Sequence, residues 1–282
     1  MAKYLGGAVL ASLLLGSLAS AWWVKGHGSI AEAGAAGLPD DVPQFFRAAG
    51  KSLNHMAGDP DRWKNRSCKF LRPAEAPDHY VDLENFGGKE LPRDRYKAIE
   101  LLQRLKQKPD RTGMLPYAIM ENYERLCCAF LDYRGDKNNA VAQSKCVVYA
   151  GVLSHFTGDC TMPLHTTVDY DGKRDKDGGW LQKGIHARID AFPERHGLTA
   201  EEIGRGLKAK KIDNVWEYVL GRVTDSHKLV GRCYELDKAG AFAKPTPVSR
   251  AFILERCRAG AQFTMDLWYT AWLRSAEMEK PF

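Results

Sequence analysis

The sequence predicts an all-α protein, a single multi-helix domain, and three observations carry that prediction. Apolar residues recur at a helical period in several long segments. Alternation with period two is scarce. No Pro/Ser linker, internal repeat or low-complexity block divides the 282 residues. Hydrophobic residues make up 44% and charged residues 27%, which excludes a disordered, collagenous or polytopic membrane chain. The length suffices for one full hydrophobic core.

The elements follow in order. Residues 1–21 read as a secretory signal peptide: Lys3 is the positive start, Leu5 to Leu18 the apolar run, and Ala19-Ser20-Ala21 the cleavage site. The run is too short and wrongly flanked for a spanning helix. An uncleaved anchor is the alternative. Cleavage before Trp22 leaves a domain over residues 22–282, expected to be freely soluble and secreted or periplasmic. The formal charge of +6 loses one unit with Lys3 and demands no polyanionic partner.

Tyr117 to Leu131 places Ile119, Tyr123, Leu126, Cys127 and Phe130 close to a 3.6 period. Val141 to Phe156 is a second helix, and Thr199 to Glu202 opens a third with a capping box. Val215 to Tyr234 and Val248 to Ala276 finish the chain as long helices. Asp59 to Pro77, Phe86 to Asp94 and Asp169 to Gly184 read as loops rich in Gly, Pro or charge. Seven cysteines in an exported chain suggest disulfides with one thiol left over, their pairing open.

The chemistry gathers around His155-Phe-Thr-Gly-Asp159-Cys-Thr-Met-Pro-Leu-His165. His155 and Asp159, four apart, share a helix face. Pro163 breaks the helix and turns His165 back toward the same pocket. Two imidazoles and a carboxylate suit Zn²⁺ or a similar cation. His186 and Asp190 repeat the spacing. Asp78-His79-Tyr80-Val81-Asp82 follows a segment containing Asp59-Pro60-Asp61, and Trp22-Trp-Val-Lys-Gly-His27 stands at the new N-terminus. Each pair alone reads as a helix-surface hydrogen bond, and the conjunction is what points to metal. Five of the eight histidines lie in these clusters. His55, His196 and His227 read as structural or exposed.

These motifs resemble the zinc-dependent phospholipase C and nuclease S-one/P-one superfamily. The resemblance covers Trp22 to about Asp190 by motif and the C-terminal helices by general character. It implies a secreted all-α protein with three Zn²⁺ at the base of a cleft. It further implies that the free amine and carbonyl of Trp22 bind zinc. One zinc would take Asp61, His79, His155 and Asp159. Its neighbour would take Trp22, His27 and the same Asp159 as a bridge, and the third His165, His186 and Asp190. Asp59 is the alternative to Asp61. A hydroxide held between the paired zincs would attack phosphorus while the third stabilises the developing charge.

Three features resemble the nuclease branch: the short step from Trp22 to His27, Asp190 as last ligand, and the long loop from His165 to His186. That branch implies Tyr80 stacking on a base and Asp82 hydrogen-bonding it. It also implies an Arg three residues beyond the first Asp ligand. Here that position is Lys64, a point charge without a bidentate fork, with Arg62 and Arg66 nearby. The first expectation is therefore a phosphodiesterase acting on single-stranded DNA or RNA and 3′-nucleotides, with Asp61 and Lys64 catalytic. The alternative is a phospholipase C on phospholipid head groups. It would be marked by exposed apolar loops and an acidic or aromatic cage near the zincs, with Glu84 and Phe86 as candidates. A third class is a zinc-containing binding protein without turnover. No protein partner is implied, and a monomer is expected.

Overall fold

The computed structural model describes residues 22–279. The signal-peptide reading, and with it the terminal amine of Trp22, lies outside the described residues. Within them the chain is all-α, and its one sheet is a two-stranded antiparallel pair, Lys173–Arg174 with Trp180–Leu181.

The centre is a helical hairpin of Leu115–Gly135 and Ala140–Cys160. Pro116 opens the first arm in the first turn, where its missing N–H costs nothing. Asn139 caps the second by accepting from the amides of Val141 and Ala142. The long closing helix Pro247–Arg274 starts at a Thr246/Ser249 capping box and lies along both arms. The helix Val24–Ala36 packs between it and the second arm. Its glycines and alanines let backbones come close, as does Gly158 of the second arm. A Cβ on Gly158 would stand 2.8 Å from His27 Nδ1.

Phe46, Phe130, Trp268 and Trp272 form one aromatic core through edge-on contacts. A second apolar cluster of Trp22, Leu164, Ile185, Ile189 and Phe192 backs the far side of the site. Among the described residues no helix is long and apolar enough to cross a membrane.

Several expectations need correction. The segment from Val215 is two helices, Val215–His227 and Val230–Lys238, broken where His227 turns its ring to the Thr166 carbonyl at 2.8 Å. The expected loop Asp59 to Pro77 holds two short helices, Asp59–Trp63 and Leu71–Glu75. A helix Arg95–Arg104, capped by Asp94, was not foreseen. The expected disulfides are absent, and all seven cysteines are free. Cys127 and Cys128 are consecutive on a helix and diverge. Cys146, Cys160, Cys233 and Cys257 are each buried as small apolar side chains.

Candidate metal centre

Six short stretches of chain deliver the polar side chains to one buried place. The helix Val24–Ala36 brings His27 on its first turn, and the short helix Asp59–Trp63 brings Asp61. A 3₁₀ turn Ala76–His79 ends on His79. The second arm of the hairpin carries His155 and Asp159 one turn apart, then stops at Cys160 before Met162-Pro163. The 3₁₀ turn Pro163–Thr166 aims His165 back, and Ile185–Asp190 supplies His186 and Asp190.

The result is three groups able to hold a metal ion: His27, His155 and Asp159; Asp61, His79 and His155; His165, His186 and Asp190. Asp159 sits at the junction. Its carboxylate lies 3.2 Å from His27 Nε2, 2.9 Å from His79 Nδ1 and 3.2 Å from His155 Nε2. His165 Nδ1 is 3.7 Å away. Asp61 Oδ1 lies 3.9 Å from both His79 and His155. Asp59 instead turns outward to Arg62, so Asp61 is the carboxylate in the cluster. Trp22 packs alongside, its indole N–H donating to the Gly158 carbonyl at 3.0 Å. The Trp23 amide donates to the Asp190 carbonyl at 3.2 Å, so Trp22-Trp23 is held beside two of the groups.

The imidazoles are oriented from behind. His155 Nδ1 donates to the Ala57 carbonyl at 2.8 Å and His165 Nδ1 to the His79 carbonyl at 2.6 Å. Each bond fixes the tautomer; Nε2 of His165 is left bare, and Nε2 of His155 faces His79 Nδ1 at 2.9 Å and Asp159. His79 Nε2, His165 Nε2, His186 Nε2, Asp61 Oδ2 and Asp190 Oδ1 are buried without a hydrogen-bond partner. Buried polar atoms normally find partners, so this concentration of bare donor atoms fits an ion. Imidazole and carboxylate together fit zinc.

The electrostatics agree. Burial, then Lys64, pushes the His79 imidazolium down to about 3. Burial, then His165, holds His186 well below its usual range. Both rings are thus neutral, the form a metal needs. Burial acts to raise Asp159, but His155 and His165 outweigh it and keep it well below the usual carboxylate range. Asp190 goes the other way, raised well above that range by burial and then by Asp159 and Asp61. Three carboxylates converging in one buried site call for positive charge, and a bound cation would reverse the shift of Asp190.

Lys64 Nζ lies 2.7 Å from Asp61 Oδ1 and 3.5 Å from His79 Nδ1, so its charge reaches the cluster. Arg62 is turned away, onto Asp59 and the His55 carbonyl. Tyr80 is half-buried and donates to the Asp110 carbonyl at 3.1 Å. Asp82 is buried; burial, then Glu84, pushes its carboxyl up to about 7. Phe86 is a core side chain, 1% exposed, and not part of any cage.

Sequence reasoning missed two contributors, Tyr170 and Arg95, and named Glu84 only as a candidate for a head-group cage. Tyr170 packs edge-on against His186 with ring centroids 5.9 Å apart, and an aromatic in the loop joining two histidine motifs was the available signal. Glu84 accepts from the Val168 amide at 3.2 Å and from the Thr167 hydroxyl, fastening that loop. Arg95 grips Asp78 at 2.7 Å and Glu121 at 2.7 Å, fixing the turn that ends in His79. Nothing in the local sequence around Arg95 announced this.

No protein-family model and no curated protein matches this chain. Among solved structures it is similar to the alpha-toxin of Clostridium perfringens isolated from avian strain SWCP. That match has 13% identity and a TM-score of 0.45, covering 91% of this chain and 64% of that one. It is also similar to the alpha-toxin of Clostridium absonum, with 14% identity and a TM-score of 0.49, covering 93% of this chain and 68% of that one.

Proposed function

We propose that the chain is a zinc-dependent hydrolase of phosphate esters with phospholipid head groups as its substrate. The metal-dependent part rests on the three convergent groups of buried, bare donor atoms around Asp159. Bound zinc would supply Lewis acidity toward a phosphoryl oxygen and a water activated near neutral pH. The chain's own residues do the rest. Asp159 faces histidines of both of the first two groups and would be available to ions held there. Asp61 stands where it can orient an attacking water, and Lys64 beside it offers a cation to a phosphoryl oxygen. The buried walls exclude bulk water, which strengthens each of these charges.

The choice of lipid over nucleic acid is carried by the loop between His165 and His186. It exposes Val168 at 45%, Tyr170 at 49%, Trp180 at 49% and Leu181 at 51%, and Tyr170 among them packs against His186 of the third group. Tyr80 feels the charge of Asp82, and Asp82 that of Glu84. Aromatic faces with carboxylates suit a quaternary ammonium head group, worth about 0.5–2 kcal/mol per ring. The second reading is the nuclease one, supported by Tyr80 and Asp82 directly after His79.

The test is a parallel assay on phosphatidylcholine, single-stranded oligothymidylate and a 3′-nucleotide, each with and without chelator. Chelator-sensitive release of the lipid head group is expected. Turnover of the oligonucleotide with none of the lipid would replace this reading with the second.

A further inference from the structure

The chain leaves the cluster at Lys64 and returns to it at His79. Between them it makes an excursion over the surface. Its outer part, residues 66–72, carries Arg66, Lys69 and Arg72 and no acidic residue. Phe70 at its tip is 94% exposed, and Leu71 beside it 40%. Arg62 and Lys64, just before, are tied to Asp59 and Asp61. Among the described residues no side-chain hydrogen bond or ion pair holds Arg66, Lys69 or Arg72. This stretch therefore presents uncompensated positive charge around two projecting apolar side chains, on a loop whose two ends are fixed at the metal centre.

We propose that residues 66–72 are a docking tip for an anionic phospholipid surface. Phe70 and Leu71 enter the interface, and Lys69, Arg72 and Arg66 meet the lipid phosphates. Basic residues near an anionic bilayer contribute through its surface potential, and an apolar pair beside them adds insertion. Single-stranded nucleic acid would also meet cations and could stack on Phe70. Leu71 decides between the two: an aliphatic side chain gains from acyl chains but offers no π face to a base. Docking here would hold the segment that joins Lys64 to His79, and with it the metal centre, at the lipid surface. It rests on the phospholipid reading for its purpose, while the surface itself stands apart from the metal ligands.

The experiment is flotation of the metal-loaded protein with vesicles of phosphatidylcholine alone and of phosphatidylcholine with phosphatidylserine. Wild type is compared with Phe70→Ser/Leu71→Ser and with Lys69→Gln/Arg72→Gln. Metal content and thermal unfolding establish that the variants are folded. Hydrolysis of a soluble nitrophenyl phosphodiester reads the site without a membrane. Wild type should favour the anionic vesicles. The charge variant should lose about 25-fold of that binding, roughly five-fold per cation, and the loss should shrink in high salt. The apolar variant should lose binding to both vesicles, and soluble turnover should stay unchanged in both variants. Equal binding of wild type and variants overturns the proposal. So does equal binding to neutral and anionic vesicles, or loss of oligothymidylate binding in the variants while vesicle binding survives. Vesicle binding that obeys these expectations without lipid hydrolysis upholds the docking tip and sinks the proposed substrate instead.

Discussion

Asp159 draws on four imidazoles, with His27, His79 and His155 within 3.2 Å and His165 at 3.7 Å. Among the described residues no other side chain lies within 4 Å of all of these in an ion pair, so its loss should act on more than one ion. Asp159→Asn is expected to lower bound metal, read by elemental analysis, and to cut turnover by more than about 100-fold. Full metal content in that variant would contradict the junction role. Lys64 is separable, because it pairs with Asp61 without being a metal donor. Lys64→Ala should keep the metal and lose on the order of 10²-fold in kcat, with Lys64→Arg recovering part of it. Unchanged kcat in the alanine variant would remove Lys64 from the chemistry. Asp82 makes a pH prediction. Its carboxyl ionises at about 7 in the fold against 3.8 normally, because burial and then Glu84 oppose its charge. Below about pH 4 it is protonated in both folded and unfolded chains. As pH rises from 4 to 7 the unfolded chain releases this proton and the fold resists, so stability falls across that window. Asp82→Asn should flatten the decline by roughly 2–4 kcal/mol, measured by denaturant unfolding at pH 5 and pH 8. A decline of equal size in the variant would place the burden elsewhere.

At the scale of elements, the site depends on how closely the helix Val24–Ala36 approaches the second arm of the hairpin. Gly158 permits it, since a Cβ there would meet His27 Nδ1 at 2.8 Å and Cε1 at 3.3 Å. Gly158→Ala should favour the isolated helix by about 0.5–1 kcal/mol, yet push His27 off Asp159. Metal content should drop while helical circular dichroism stays, and retained metal would show that the ring yields without cost. This contact explains what was legible in advance. The i, i+4 pairs His155/Asp159 and His186/Asp190, and the break at Pro163, were readable because helix geometry is local. The core arms were readable for the same reason. The partners that orient the rings, the carbonyls of Ala57 and His79, carry no side-chain signature. Arg95 reaches Asp78 and Glu121 across the fold, a distance no spacing rule covers. The break after His227 depends on the carbonyl of Thr166, brought in by another segment. The disulfide expectation failed because compartment and parity say nothing about where seven thiols point.

At the scale of the whole molecule, the metal centre is also a fold element. Its ligand residues come from six stretches between His27 and Asp190, and the two apolar clusters meet across it. Without cations, the carboxylates of Asp61, Asp159 and Asp190 share one buried volume, and Asp190 is held far above its usual range by burial and by the other two. Holding Asp190 neutral in that place costs stability once the unfolded carboxyl would ionise, and ionising it there sets the anion against like charge. Metal binding should therefore stabilise the native chain over the unfolded one, which lacks the assembled site. A site saturated to a thousand times its Kd contributes about 4 kcal/mol, and a chain of this size shifts by about 2–4 °C per kcal/mol. Chelation is thus expected to lower Tm by on the order of 10 °C per tight site, with zinc restoring it. The loss should deepen as pH rises, because the unfolded carboxylates then ionise freely while Asp190 in the fold does not. Scanning calorimetry with and without chelator, at pH 6 and pH 8, reads both effects. A Tm indifferent to chelator at both pH values would mean that the converging histidines and carboxylates satisfy one another without an ion, and the hydrolase reading would fall with them.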